Sequence, residues 1–220
     1  MNELVALARS PRAGAAAVLA RGTMPAAALL MIASTLVATL AAAAFATVAP
    51  IDDVLFGGER SPLITASLDA LGRDRTAIVL YLFQRAYPAL IVASAFTPLF
   101  FWLLGSTAVH AAARLGGARS SFMPILVLFA YTTALTRVPV DLVALALPRS
   151  GISGLVGTLA TIWLALIAYR GIESHYGLIG GRAVTTLVIA LVFFYAIPFV
   201  VIVLAGVAIL IAAIVLEYTP

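Results

Sequence analysis

Five apolar runs of about 20 residues or more divide this sequence, and they constrain its fold more than any other feature. The hydrocarbon core of a bilayer is about 30 Å thick, so a helix rising 1.5 Å per residue crosses it in about 20 residues. The first run is longer than the roughly 7–15-residue core of a secretory signal peptide, so we interpret it as a retained span. The runs predict an all-α, polytopic membrane bundle with transmembrane helices over residues 24–48, 86–113, 122–147, 152–169 and 183–216.

The composition also indicates an integral membrane protein. Hydrophobic residues make up 64% of the chain and charged residues 10%, whereas an ordinary soluble domain carries roughly 25% charged residues. The arginines are scattered between the apolar runs and form no basic stripe, which argues against a nucleic-acid partner. The chain has no cysteine, which excludes disulfides and a thiol nucleophile. The lipid bilayer is therefore the first partner that the sequence predicts.

Two segments outside the spans are predicted to be helical. Pro11 splits residues 1–23 into two short helices, which we interpret as a cytoplasmic interfacial arm; a solvated arm is the alternative. Between the first two spans, Ser61-Pro62 is typical of a helix start and predicts an external or re-entrant helix over residues 62–84. Residues 24–220 are predicted to form a single five-span membrane domain.

The positions of the arginines predict the orientation of the chain. Basic residues concentrate in the short cytoplasmic loops of membrane proteins. Seven arginines fall at one end of the predicted spans: Arg9, Arg12, Arg21, Arg114, Arg119, Arg170 and Arg182. We therefore expect a cytoplasmic N-terminus and an external C-terminus, in the cytoplasmic membrane of a prokaryote.

Several small motifs occur in order along nearly the whole chain. They are Ser10-Pro11-Arg12, Met24-Pro25, Val109-His110 before Gly116-Gly117, Tyr131 with Pro139, Trp163, and His175-Tyr176-Gly177-Leu178. In this order they resemble the Yip family (Ypt/Rab-interacting protein domain), in its prokaryotic five-span branch. The resemblance implies five spans, a cytoplasmic N-terminus and the role of an integral scaffold. Eukaryotic members are linked to Rab GTPases and vesicle membranes, and that role is not carried over to this chain.

The third span departs from the family pattern because Arg137 and Asp141 flank Pro139. Their i, i+4 spacing lets the two side chains meet on one helical face, as an intramembrane polar pair. Counted from Phe122 at 1.5 Å per residue, Arg137 lies roughly 22 Å into the membrane, in its outer half. Three interpretations stay open: a helix end wetted at the outer interface, an ion pair buried between helices, or a proton or ion relay.

The polar stretch after the fourth span is the candidate interaction loop. Its candidate residues are Arg170, Glu173, His175 and Tyr176. Mixed polar and aromatic side chains at a cytoplasmic loop are suited to a protein partner, and an ordinary short connector is the alternative. No metal site is predicted, because His175 and His110 are the only histidines and a metal needs further ligands.

Small residues in the spans predict close helix packing, within the chain or between copies of it. Gly105 interrupts the second span, and Gly154 and Gly157 lie near the start of the fourth. Without a side chain, such positions let two helix backbones approach closely in a membrane.

No catalytic motif or cofactor signature occurs in the sequence, so we predict a protein that is not an enzyme and needs no cofactor. Its predicted role is that of a membrane scaffold or assembly protein, a homo-oligomer or a subunit of a larger complex. The alternative is a transporter or lipid-moving subunit in which Arg137 and Asp141 line a polar cavity. A membrane-embedded hydrolase is the least favoured class.

Overall fold

The computed structural model describes residues 2–48, 73–147 and 152–218, which form eight helices and no strand. The helices are α1 (Asn2–Arg9), α2 (Pro11–Arg21), α3 (Met24–Val48), α4 (Arg73–Ala95), α5 (Thr97–Leu115), α6 (Met123–Ala146), α7 (Ile152–Tyr176) and α8 (Gly181–Tyr218). The prediction of an all-α protein is confirmed.

The N-terminal arm is a pair of short helices that pack against each other, α1 and α2. The chain breaks at Ser10, which is extended and whose hydroxyl accepts a hydrogen bond from the amide of Ala13. Pro11 follows in the first turn of α2. An N–H at this position would have no carbonyl partner within the helix, so proline costs no hydrogen bond there. Gly14 makes the close packing possible, because a Cβ there would overlap the backbone of Leu7.

Several of the described helices are long and apolar enough to cross a membrane. Four such stretches are Met24–Thr47, Met123–Ala146, Gly154–Tyr176 and Gly181–Val200, and the bent pair α4–α5 makes a fifth if it counts as one span. The predicted first, third and fifth spans agree with α3, α6 and α8 to within two residues. The polytopic helical architecture is therefore confirmed.

The second predicted span, over residues 86–113, is wrong as a single continuous helix. The segments Gln84–Ala95 and Thr97–Leu115 meet at a bend of 64°. Pro98 explains the break, because proline disfavours a helical backbone at the residue before it and has no N–H to donate. In the first turn of α5 the same proline is tolerated.

The predicted helix between the first two spans lies partly outside the described residues. Of residues 62–84, the part from 62 to 72 is not described. The part from 73 to 84 belongs to α4 and continues into the second span without a break. In the described part this segment is therefore not a separate helix.

The fourth span was predicted to end too early, at Tyr169. α7 continues to Tyr176, so the candidate interaction loop is largely the last turns of a helix. Arg170 and Glu173 form an i, i+3 ion pair along this extension, with 2.6 Å between Nη1 and Oε2. Gly177, with a φ of +66°, follows the last helical residue in the left-handed conformation that commonly ends helices.

The chain divides into two compact units. One consists of Met1–Thr23, Phe101–Phe129 and Ala165–Pro220, and the other of Met24–Phe100 and Ala130–Leu164. Leu7, Ile125 and Leu128 are fully buried side chains of the first unit. Met31 and Thr132 are buried side chains of the second. The predicted boundary between an arm at 1–23 and a membrane domain from 24 stays a prediction.

Candidate functional site at the polar helix ends

The end of α5, the end of α7 and the residue before α6 meet around His110, within the first unit. Nδ1 of His110 lies 2.7 Å from the hydroxyl of Tyr176, and the two atoms share a hydrogen bond. The ring of Phe122 lies 5.1 Å from the His110 ring, centroid to centroid. The Tyr176 side chain is buried. His110 therefore joins two helix ends by an internal hydrogen bond.

His175 fastens the connection between α5 and α6 to the end of α7. Its Nε2 lies 2.7 Å from the carbonyl oxygen of Ser121, and because a carbonyl only accepts, this nitrogen carries the hydrogen and donates it. The hydroxyl of Ser120 donates to the carbonyl of His175 at 3.0 Å. The His175 ring also meets the Tyr176 ring edge-on, with 4.7 Å between centroids. We name His110, Phe122, His175 and Tyr176 the aromatic latch.

The four residues of the predicted interaction loop therefore have two different surroundings. His175 and Tyr176 belong to the aromatic latch and make bonds within the chain. Arg170 and Glu173 form an ion pair whose side chains stay 38% and 21% exposed. An ion pair of this exposure contributes about 0–1 kcal/mol to stability, so its charges are available to a partner at little cost.

A cleft of about 550 Å³ lies beside the latch, between the end of α5 and the start of α8. Arg182 lies at the cleft, and its Nη2 donates a hydrogen bond to the carbonyl of Gly116 at 2.9 Å. Sequence reasoning used Arg182 only to orient the chain. The signal that was available is its position in the first turn of a span, next to the glycines at 180 and 181.

The Arg137–Asp141 pair belongs to the second unit and is present as an ion pair. Nη2 of Arg137 lies 3.6 Å from Oδ1 of Asp141, and the two side chains are 24% and 12% exposed. Oδ2 of Asp141 is buried and has no hydrogen-bond partner among the described residues. The pair is thus mostly enclosed by protein. What it does stays a prediction.

The candidate packing glycines differ in what lies next to them. A Cβ on Gly105 would lie 2.8 Å from Cε1 of Phe129, so that glycine makes room for a ring of the same chain. A Cβ on Gly154 or Gly157 would have no described atom within 4 Å. Gly171 is a further packing position that no sequence pattern indicated: a Cβ there would lie 2.6 Å from Cδ2 of Leu128.

Among the described residues, no group of three or more histidine, cysteine, aspartate or glutamate side chains is placed to hold a metal ion.

Trp102, which no sequence pattern singled out, links α5 to α6. Its Nε1 donates a hydrogen bond to the carbonyl of Leu126 at 2.8 Å.

Apolar helices of spanning length, joined by short polar connections that bond to one another, define a multi-span integral membrane protein. The family model of the Yip1 domain matches residues 5–202. The chain therefore belongs to the Yip1 domain family, and the resemblance noted in the sequence is confirmed. No curated protein and no solved structure matches it significantly.

Proposed function

We propose that this Yip1-family protein is a membrane scaffold that assembles with further copies of itself or with other membrane proteins. The observation that carries the proposal is the open glycine face of α7. We define this face by Gly154, Gly157, Thr158 and Thr161, which recur at helical spacing.

The open glycine face has the properties of a helix-packing surface. Lipid tails are as apolar as leucine, so helices associate in membranes through close packing and hydrogen bonds. The threonine hydroxyls are satisfied within α7: Thr158 donates to the carbonyl of Gly154 at 3.0 Å and Thr161 to that of Gly157 at 2.9 Å. A second helix approaching this face would therefore meet no unbonded hydroxyl. In contrast, Gly105 is already filled by Phe129.

The exposed ion pair at the end of α7 offers a second, polar contact to a partner. Arg170 and Glu173 are partly exposed, and at about 100° per residue they lie on other sides of the helix from the open glycine face. His175 and Tyr176 stabilise this end of α7, because their polar atoms form hydrogen bonds within the chain. We therefore propose that partners contact the fourth span at the open glycine face and, separately, at Arg170 and Glu173.

The membrane and the orientation are part of the proposal: a prokaryotic cytoplasmic membrane, with the N-terminus inside and the C-terminus outside. What supports the orientation is that the two described connections next to the arginines predicted to be internal, 116–122 and 177–180, lie at the same end of the helices. Arg182 donates a hydrogen bond to the carbonyl of Gly116, and Ser120 donates one to the carbonyl of His175.

The test is native mass spectrometry of the protein from gently solubilised membranes, with Gly154→Leu as the probe. We expect oligomers or a larger complex from the unchanged protein. A leucine on the open glycine face should shift it towards the monomer, because the side chain holds the two backbones apart. Ala33→Leu, at an exposed small residue of α3, is the matched control and should leave the assembly intact. A single monomeric species in every mild detergent, unchanged by either substitution, would contradict the scaffold.

The second candidate is a transporter or lipid-moving subunit. The observation in its favour is the buried Oδ2 of Asp141, which has no hydrogen-bond partner among the described residues. Buried polar atoms are rarely left in that state unless water, an ion or a substrate group reaches them. Loss of a proton-coupled flux in folded Asp141→Asn protein would support this candidate over the scaffold.

A further inference from the structure

The cleft between α5 and α8 is positively charged at one end. Arg182 is the charged residue among its described lining residues. Its guanidinium carries five N–H donors, so the bond to the Gly116 carbonyl holds the group in place and leaves donors for an anion. α8 begins at Gly181 with no acidic residue in its first turn, so the positive end of the helix dipole also lies here.

The other end of the cleft is apolar. Ala112 of α5 and Ile189 of α8 line it. Leu115 and Leu178 continue the apolar wall towards the charged end, where a Cβ on Gly116 would lie 3.6 Å from Cδ1 of Leu178. Ile189 follows Arg182 by seven residues, which places it about 10 Å further along α8 at 1.5 Å per residue. Thr185 and Thr186 line the region between the two ends. A ligand that fills this cleft is therefore anionic at one end and apolar at the other.

The place of the cleft in the chain indicates where such a ligand comes from. Gly181 is both a lining residue and the first residue of the candidate span Gly181–Val200, so the charged end lies at the start of a span. The volume of about 550 Å³ is within the roughly 300–1,000 Å³ typical of ligand sites. A soluble anion would leave the apolar wall unused, and a purely apolar ligand would leave Arg182 unused.

We propose that this cleft binds one anionic phospholipid of the surrounding bilayer, with the phosphate at Arg182 and an acyl chain along the wall towards Ile189. The headgroup adds charge-assisted hydrogen bonds from Arg182 and from the first turn of α8. The acyl chain buries the apolar wall. This proposal does not depend on the scaffold, because a monomer has the same cleft.

The experiment uses the full-length protein in a neutral detergent, titrated with phosphatidylglycerol and, separately, with phosphatidylcholine of the same acyl chains. Native mass spectrometry counts the lipids retained. We expect one phosphatidylglycerol to be retained at least about tenfold better than phosphatidylcholine. Arg182→Gln should lower that preference about tenfold. Both lipids carry a phosphate, but in phosphatidylcholine the quaternary ammonium next to it offsets the attraction of the arginine charge, so the preference depends on that charge. Arg119→Gln, which removes an exposed arginine of the same unit outside the cleft, should leave the preference unchanged.

A second pair of variants tests the volume of the cleft. Thr185→Trp places an indole in the cleft and should abolish selective retention of phosphatidylglycerol. Val184→Trp adds the same ring at the neighbouring exposed position outside the lining and should have no effect. Both sites are exposed, and an unchanged melting temperature checks that each variant is folded.

Four results would overturn the proposal. They are equal retention of the two lipids by the unchanged protein, an equal loss of preference in Arg182→Gln and Arg119→Gln, normal retention in Thr185→Trp, and full displacement of phosphatidylglycerol by millimolar inorganic phosphate. The last would identify a site for a free anion. None of these results depends on the oligomeric state measured for the scaffold.

Discussion

Polar side chains at the helix ends of the first unit form hydrogen bonds within the chain. The Tyr176 hydroxyl meets His110, and the His175 ring donates to the carbonyl of Ser121. A buried polar group left without a partner costs about 1–3 kcal/mol. Breaking one of these hydrogen bonds therefore destabilises the protein by more than forming it stabilises the protein. The aromatic latch thus holds the ends of α5 and α7 together, and its residues are poor probes of a partner surface.

At the same scale, Tyr176→Phe should lower the free energy of unfolding by about 1 kcal/mol, because the nitrogen of His110 loses its partner. Unfolding in mixed micelles with rising dodecyl sulfate measures the change. Tyr195→Phe is the matched control: Tyr195 is 67% exposed, and removing its hydroxyl should have no effect. An equal loss in both variants, or no coupling between Tyr176→Phe and His110→Phe in a double-mutant cycle, would contradict an energetic role for the bond.

At the scale of the element, glycines in these helices serve different purposes. Gly105 and Gly171 lie against side chains of α6, Phe129 and Leu128, which occupy the space that a Cβ would need. Gly157 has no described atom within 4 Å of that position. The described helices therefore have filled glycine sites, where a side chain of the same chain occupies the space, and open ones, where no described atom does.

Gly105→Ala and Gly157→Ala separate the two kinds of site. The added methyl at Gly105 must displace the buried ring of Phe129, and overpacking of this kind costs about 1–3 kcal/mol. At Gly157 the methyl meets no described atom, and alanine is the better helix former by about 1 kcal/mol. Unfolding of the monomer in detergent should show a loss for the first variant and none for the second. A loss at Gly157 as large as that at Gly105 would mean that α7 is covered within the chain.

At the scale of the whole molecule, the connections constrain the path of the chain through the membrane. The connection 116–122 contacts the end of α7, where Ser120 donates to the carbonyl of His175. Gly22, just before α3, is packed near Val127 at the start of α6, with 2.8 Å from its Cβ position to Cγ1. The end of the arm, the connection 116–122 and the end of α7 therefore all belong to the first unit.

Cysteine labelling tests the orientation without background, because the chain has no native cysteine. Ser174→Cys changes one exposed atom at the end of α7 and should be protected from a membrane-impermeant reagent in intact cells. Tyr218→Cys should be labelled, because five crossings place the two ends of the chain on opposite sides. Both should react after the membrane is permeabilised. Labelling of Ser174→Cys with protection of Tyr218→Cys would mean that the orientation is inverted.

Some features of the fold depend only on apolar runs and prolines, which act locally along the chain. These features were determined by the sequence alone. That includes the helical class, the bounds of three spans to within two residues, and the division of the arm at Pro11. Two local errors have local causes. The apolar run over 86–113 continues across Pro98, so hydropathy gives no sign of the break there. The polar residues 170–176 predict a loop, because hydropathy does not show where a helix continues beyond its apolar part.

Only the tertiary structure decided which distant residues meet. His110 and Tyr176 are 66 positions apart, and their spacing along the chain carries no information about the hydrogen bond between them. In the same way, Gly105 and Gly157 look alike in sequence, and only the packing of Phe129 against the first makes it a filled site while the second stays open. The physical reason is that composition sets how a segment partitions between lipid and water, whereas contacts depend on how whole helices pack.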